Sequence, residues 1–430
     1  MGKRSRTYRS MAVGVVLALT AGSVAWGVLD AADAGASTTH KIPSSAFQDH
    51  TGITKTQVKI GTVATLSAGL FKGAVVGTQA YADYINSKGG INGRKVVVTS
   101  SDDQFSGATN KQATQAAVNS DFATVGNFSL EDSYGGKVFA ANPGIPDVSV
   151  VLDPTTNKLP NVYSPVPLND GWEEGAMKYF AVKYPNTLHH AASMVAGLPS
   201  GEATWAGEKY VLEKVGFKVV YEPTYTVTTT DFTPYVVSMK NMGVKILFVD
   251  QMAESYASAL LKALSQQNFH PVVVLGAATY TDTLVADSGG QANVNGDQFQ
   301  QNASLYLGGD SASIPAVSTF LHWVNVASPG FKPDLYAMYA WISGELFGQA
   351  LKNAGSNPSR GSLLQALSKI TTFDANHLIA PNNPAAKTIG NCYLIGKVAN
   401  GQFVRQSDPP VSGSTHGYRC DYSYVSPPAS

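Results

Sequence analysis

Residues 56–100 read TQVKIGTVATLSAGLFKGAVVGTQAYADYINSKGGINGRKVVVTS, and the order of patterns within them decides the fold. The run 58–63, with Val58, Ile60 and Val63, is short and β-branched, as a buried strand requires. A loop of small residues, Ser67-Ala68-Gly69, follows it. From 73 to 87 the apolar residues Val76, Ala80, Tyr84 and Ile85 recur at helical spacing. Gly89-Gly90 ends that helix, Asn92-Gly93 makes a tight turn, and 95–100 reads as a second strand. A strand, a helix and a strand in this order form a parallel pair with its crossover.

The rhythm continues outward from there. Helix 110–120, strand 122–126, helix 133–140 and strand 146–152 extend a parallel sheet covered on both faces. It breaks at Val162-Tyr163-Ser164-Pro165-Val166-Pro167, an extended stretch suited to crossing between domains. A second series then alternates helices 172–184, 205–215, 233–241 and 255–266 with strands 190–196, 218–221, 244–249 and 271–275. Residues 304–307 read as a return crossing, after which helices 314–327 and 335–353 rejoin the first series. The expected architecture is α/β, with two doubly wound parallel-sheet lobes joined by a multi-strand hinge. Lobe 1 takes 55–165 and 308–378; lobe 2 takes 166–307 and 379–430. Open α/β sheets bind ligands at the carboxyl ends of their strands, and here two such edges face each other.

The 430 residues carry 30 basic and 30 acidic side chains, scattered along the chain, which excludes a basic nucleic-acid footprint. Lys3, Arg4, Arg6 and Arg9 precede an apolar run from Met11 to Val28, and Ala34-Gly35-Ala36 forms an A-x-A site. Residues 1–36 are therefore expected to be a signal peptide, with an uncleaved N-terminal anchor as the rival, and 37–54 a mobile linker. No cysteine closes the signal region, so no lipid anchor on cysteine is expected. The two cysteines, Cys392 and Cys420, are expected to form a disulfide that staples the C-terminal tail. Such a closure stabilises by roughly 3–4 kcal/mol.

The stretch Asn86-Ser87-Lys88-Gly89-Gly90-Ile91-Asn92-Gly93-Arg94 resembles the Asn-x-x-Gly-Gly-Ile-x-Gly turn of the type I periplasmic binding proteins, in particular the branched-chain amino-acid binders of ATP-driven importers. The opening strand with its Ser-Ala-Gly loop, Ser101-Asp102-Asp103, Gly144-Ile145-Pro146 and the aromatic helix near 334–353 are similar in the same order, across about 55–405. The resemblance implies a monomeric clamshell that captures a small molecule and delivers it to the permease of an ABC importer. It implies ligand contacts from loops 66–71, 127–130 and 151–153 of one lobe and 197–205, 250–254 and 277–281 of the other. On these loops Ser67, Phe71, Phe128, Ser129, Leu152, Asp153, Trp205, Asp250, Met252 and Tyr280 are the candidate ligand-binding residues.

The sequence departs from the amino-acid binders where they hold the ligand's ammonium. After strand 271–275 it reads Gly276-Ala277-Ala278-Thr279-Tyr280, with no acid before Asp282. A buried ammonium needs a partner. Either Asp153 or Asp250 supplies one from a new direction, or the ligand has no ammonium; the apolar candidates favour the second, an aromatic or aliphatic acid, an amide or a lipid-like solute. Seven of the ten also have an ordinary structural role open to them: loop packing for Phe71, Phe128 and Tyr280, capping or turn formation for Ser129, Asp153 and Asp250, helix capping or domain packing for Trp205.

Neither G-x-S-x-G nor H-E-x-x-H occurs, Gly135-Gly136-Lys137 lacks the rest of a phosphate loop, and His189-His190 are adjacent rather than on one helix face. Glu173-Glu174 read as a solvated helix face. No enzyme, metal or cofactor is expected. The rival functions are a ligand-sensing receptor on the same fold and a hydrolase.

Overall fold

The computed structural model describes residues 41–167, 172–388, 390–406, 416–420 and 424–425, and two sheets carry most of them. In the first, β1 (Gln57–Ala64) lies between β2 (Lys95–Asp102) and β3 (Ala123–Val125), with β4 (Asp147–Val148) beyond, all parallel. β1 is buried almost from its start, as a strand between covered faces must be. Helices α1 (Lys72–Ser87), α2 (Gly107–Ser120) and α3 (Asp132–Ala141) make the crossovers, and the short α4 (Pro154–Asn157) follows.

The glycine turn between α1 and β2 is built as its sequence suggests. Gly90 sits at φ +78, and a Cβ there would lie 2.0 Å from the Arg94 carbonyl oxygen. Its N–H donates to Ile85 at 2.9 Å, and Ile91 and Arg94 exchange backbone hydrogen bonds at 2.9 and 3.0 Å. Asn92 and Arg94 then donate to the carbonyls of Gly355 and Ser356, at 3.0 and 2.8 Å, so the turn grips a distant part of the chain.

The second lobe runs through β5 (Trp172–Glu173), α5 (Glu174–Lys183), β6 (Ala191–Ser193), β7 (Val195–Ala196), α6 (Pro199–Lys214), β8 (Val219–Tyr221) and β9 (Thr224–Tyr225). It continues with α7 (Thr233–Asn241), β10 (Ile246–Val249), α8 (Glu254–Gln266), β11 (Val272–Leu275), α9 (Leu284–Asp287) and β12 (Gln298–Gln301). The chain returns to the first lobe for α10 (Pro315–Ala327), α11 (Leu335–Asn353) and α12 (Arg360–Leu367), then supplies β13 (Leu394–Ala399), β14 (Gln402–Arg405) and β15 (Tyr424–Val425) to the second. α11 is buried on nearly every side, as a helix apolar all round must be, and packs along α1.

The larger sheet has the order β14-β13-β12-β11-β10-β6-β8. Five strands are parallel, but β13 and β14 run antiparallel, so this lobe is mixed rather than purely parallel as expected. β13 enters beside β12 in the opposite direction, and a two-residue hairpin, Asn400-Gly401, with both residues at positive φ, then folds β14 back along it. α6 also begins six residues earlier than expected, at Pro199, whose fixed φ suits a first helical position.

The lobes are joined at three crossings. Ala303 bridges Ile379 antiparallel, Ser304 N–H donates to Leu378 at 2.8 Å, and the Asn382 amide donates to the Pro165 carbonyl at 2.6 Å. The expected signal segment 1–36 and linker residues 37–40 lie outside the described residues. The rest of that linker is docked. Ala46 is buried, and the buried Arg360 guanidinium holds Asp49 at 2.8 Å while donating to the carbonyls of Val118, Asp121 and Phe122. Cys392 and Cys420 are disulfide-bonded, and beside them Tyr393 and Arg419 exchange backbone hydrogen bonds.

Candidate functional site

A cavity of about 280 Å³ lies where the carboxyl ends of the two sheets meet. The first lobe contributes a hydrocarbon wall. Leu70 and Phe71 follow β1, Phe128 and Leu130 follow β3, and Leu152 follows β4. Tyr336 and Tyr339 reach in from the first turns of α11. The rings of Phe71, Phe128 and Tyr336 are mutually 4.5–4.9 Å apart at tilted or edge-on angles, the arrangement that aromatic quadrupoles favour.

The second lobe contributes most of the polar wall. Asp250 and Gln251 follow β10, Ala277 and Ala278 follow β11, and Gln300 lies on β12. Gly276 lets β11 end against the Asp250 backbone, since a Cβ there would lie 2.5 Å from the Asp250 Cα. Asp250 Oδ1 accepts from Gln300 Nε2 at 2.5 Å, and its side chain is hydrogen-bonded to that of Glu208, which lies fully buried on α6. A bond between two carboxyls requires a proton on one of them. Gln251 Nε2 in turn donates to Glu208 at 3.1 Å, and Tyr225 donates to the Gln251 carbonyl at 2.9 Å.

Glu173 completes this wall. It is the last residue of β5, held by pairing with β15, and stands just before α5 with no capping bond from its side chain, which is buried at 8% exposure. Burial pushes its carboxyl up to about 8, with the Asp250 charge adding to the effect. Burial likewise raises both Asp250 and Glu208, Glu208 further because Asp250 stands beside it. Glu173 Oε2 is buried and accepts no hydrogen bond. Among the described residues that line the cavity, none is Lys, Arg or His.

Of the ten candidate residues, the structure brings Phe71, Phe128, Leu152 and Asp250 together around this cavity. The other six lie off its lining. Ser67 donates to Asp102 at 3.2 Å. Ser129 is buried in a cluster with Asp103, Thr65 and Asn110 and accepts from Glu131 N–H at 2.9 Å. Asp153 caps α4 through Thr156 N–H at 2.9 Å. Trp205, carried inside α6 by its early start, donates to Glu222 at 2.7 Å. Met252 is core, and Tyr280 is packed against Phe299, Tyr306 and Phe403.

Glu173, Glu208, Tyr336 and Tyr339 were not among the candidates. Glu173, read as part of a solvated face, is buried because β15 comes from the far end of the chain to pair with β5; Glu174 is half-buried, 3.3 Å from Lys214. Glu208 could have been found, since it shares an apolar helix stripe with Trp205, Val211 and Leu212, where a carboxylate is out of place.

Residues 57–402 match the family described as periplasmic binding protein. The chain belongs to that family. It is 23% identical over 293 residues to the "Leu/Ile/Val-binding protein homolog 1" of Brucella abortus, covering 65% of this chain and 73% of that one. The fold of this periplasmic binding protein is shared with the "Fatty acid ABC transporter substrate-binding protein from Thermomonospora curvata" at TM-score 0.69 and 16% identity, over 83% of this chain and 92% of that one. An R. palustris solute binding protein in complex with benzoate aligns at TM-score 0.67 and 16% identity, over 81% and 95%.

Proposed function

We propose that this protein captures a small organic solute between its lobes and delivers it, outside the cytoplasm, to the permease of an ABC importer. The observation that carries this reading is a single cavity walled by strand ends of both sheets, with three crossings at one side to act as the hinge. A guest that touches both walls ties the lobes together, and only interactions that form as the lobes close can drive the closure. Families of this kind act by binding, and the relatives named above support the importer as the recipient. The basic, apolar and A-x-A pattern of residues 1–36 supports export, and one copy of the chain holds the whole cavity.

The test is a solute library read by melting temperature and tryptophan emission, because Trp172 lines the cavity. A true guest at a hundred times its Kd stabilises by about 2.7 kcal/mol. If no small molecule moves either signal, the capture reading fails.

A further inference from the structure

The cavity's two walls differ in a way that specifies the guest. Toward lobe 1 the side chains are Leu70, Phe71, Phe128, Leu130 and Leu152, which offer hydrocarbon and aromatic surface to whatever lies against them. The serine hydroxyl on that side, Ser129, is consumed by its own buried cluster. Toward lobe 2 stand Glu173, whose buried Oε2 has no partner, and Asp250, whose carboxyl is bonded to that of Glu208 behind it. Buried acceptors left unpaired cost free energy, and charged ones cost more. None of the hydroxyl and amide donors of the lining reaches the Glu173 oxygen, and no cationic side chain stands among the described lining residues.

We propose that the guest is an organic cation, a primary or secondary amine on an apolar aliphatic or aromatic body, whose ammonium rests on Glu173 and Asp250 while its body lies against Phe71, Phe128 and Tyr336. The proposal rests on the capture reading and reverses the expectation of a ligand without an ammonium. That expectation came from the empty position after β11, and the structure supplies acids from β5, β10 and α6 instead. An ammonium brings up to three donors, enough to reach the unpaired Glu173 oxygen and Asp250 together. A free carboxylate on the guest would face an acidic wall on one side and hydrocarbon on the other, so an amine is favoured over the amino acid from which it derives by loss of carboxylate.

The experiment is calorimetric titration of the whole exported chain with matched sets: phenethylamine, phenylalanine, 3-phenylpropionate and 3-phenylpropionamide, and the corresponding set built on leucine. The amines are expected to bind at least about tenfold tighter than their amino acids, acids and amides. Glu173→Gln is expected to weaken the amines at least about 100-fold, the scale of an unpaired buried charge, and the amides less than about threefold. Asp250→Asn is the second variant, should the first fail to fold. An acid, amino acid or amide that binds as tightly as its amine overturns the proposal and leaves capture standing. Equal losses for amine and amide, or no loss in either variant, overturn it too. If nothing in a broad library binds, capture itself falls and the proposal falls with it.

Discussion

Replacing Glu173 by glutamine is expected to make the ligand-free protein more stable at pH 8, even as it removes a binding group. In the folded chain this carboxyl is raised from its ordinary 4.5 to about 8. A group raised in this way contributes its full share of stability below pH 4.5, and that share is lost as the pH climbs through 8. At about 1.4 kcal/mol per pH unit the 3.5-unit interval amounts to roughly 5 kcal/mol, an upper figure because a buried site relaxes when it ionises. Glutamine keeps the shape and cannot ionise. Asp250 after β10 faces Glu173 and its charge opposes the ionisation, with Glu208 on α6 behind Asp250; on the other side lies Tyr339 of α11, a neutral hydroxyl that the Glu173 charge itself pushes up. The assay is denaturant unfolding of both proteins between pH 4.5 and 8.5, after stripping any bound solute by unfolding and refolding. The difference in stability between variant and parent should grow by several kcal/mol in the variant's favour across that range. Parallel curves, or a variant weaker than its parent at pH 8, refute the burial argument for Glu173.

Three further outcomes follow from named contacts. An amine entering the cavity should expel a proton from the Glu173, Asp250 and Glu208 cluster, so its affinity rises with pH up to about 8, and titrations in buffers of different ionisation heat should report the proton released. Gly90→Ala should cost at least about 2 kcal/mol in chemical unfolding, because the position needs positive φ and a Cβ would meet the Arg94 carbonyl. Arg360→Ala should cost about 3–5 kcal/mol, since it strands Asp49 and the carbonyls of Val118, Asp121 and Phe122, and it should make residues 41–54 sensitive to protease.

The βα alternation was legible because strand and helix periods are local, and the glycine turn after α1 announced its own geometry. The Asn400-Gly401 hairpin was equally local, a strong turn dipeptide between two short apolar runs, and it folds the edge strand β14 back along β13. The site was legible only where a side chain lies on the loop after a strand, as Phe71, Phe128, Leu152 and Asp250 do. Trp205 lies off the cavity because Pro199 starts α6 early and carries it inside the helix. Glu208 was readable as a carboxylate on an apolar stripe. Glu173 was not, because its burial depends on a pairing with Tyr424–Val425 that no local pattern encodes.

The division of chemistry between the walls has a consequence for how the protein discriminates. The lobe-2 acids are costly to enclose unless something donates to them, and the lobe-1 aromatics are stabilised only when water is displaced from their faces. A guest with the charged head alone satisfies the acids but leaves the apolar wall wet. A guest with the apolar body alone covers that wall but closes the gap over the unpaired Glu173 oxygen. Neither half engages both walls as the closed form requires, so neither shifts the equilibrium far, since a ligand moves two states only by its difference in affinity for them. Selectivity would then reside in the closing step rather than in either wall, and the carboxyls that lower the stability of the empty protein are the groups that make closure conditional on the whole guest.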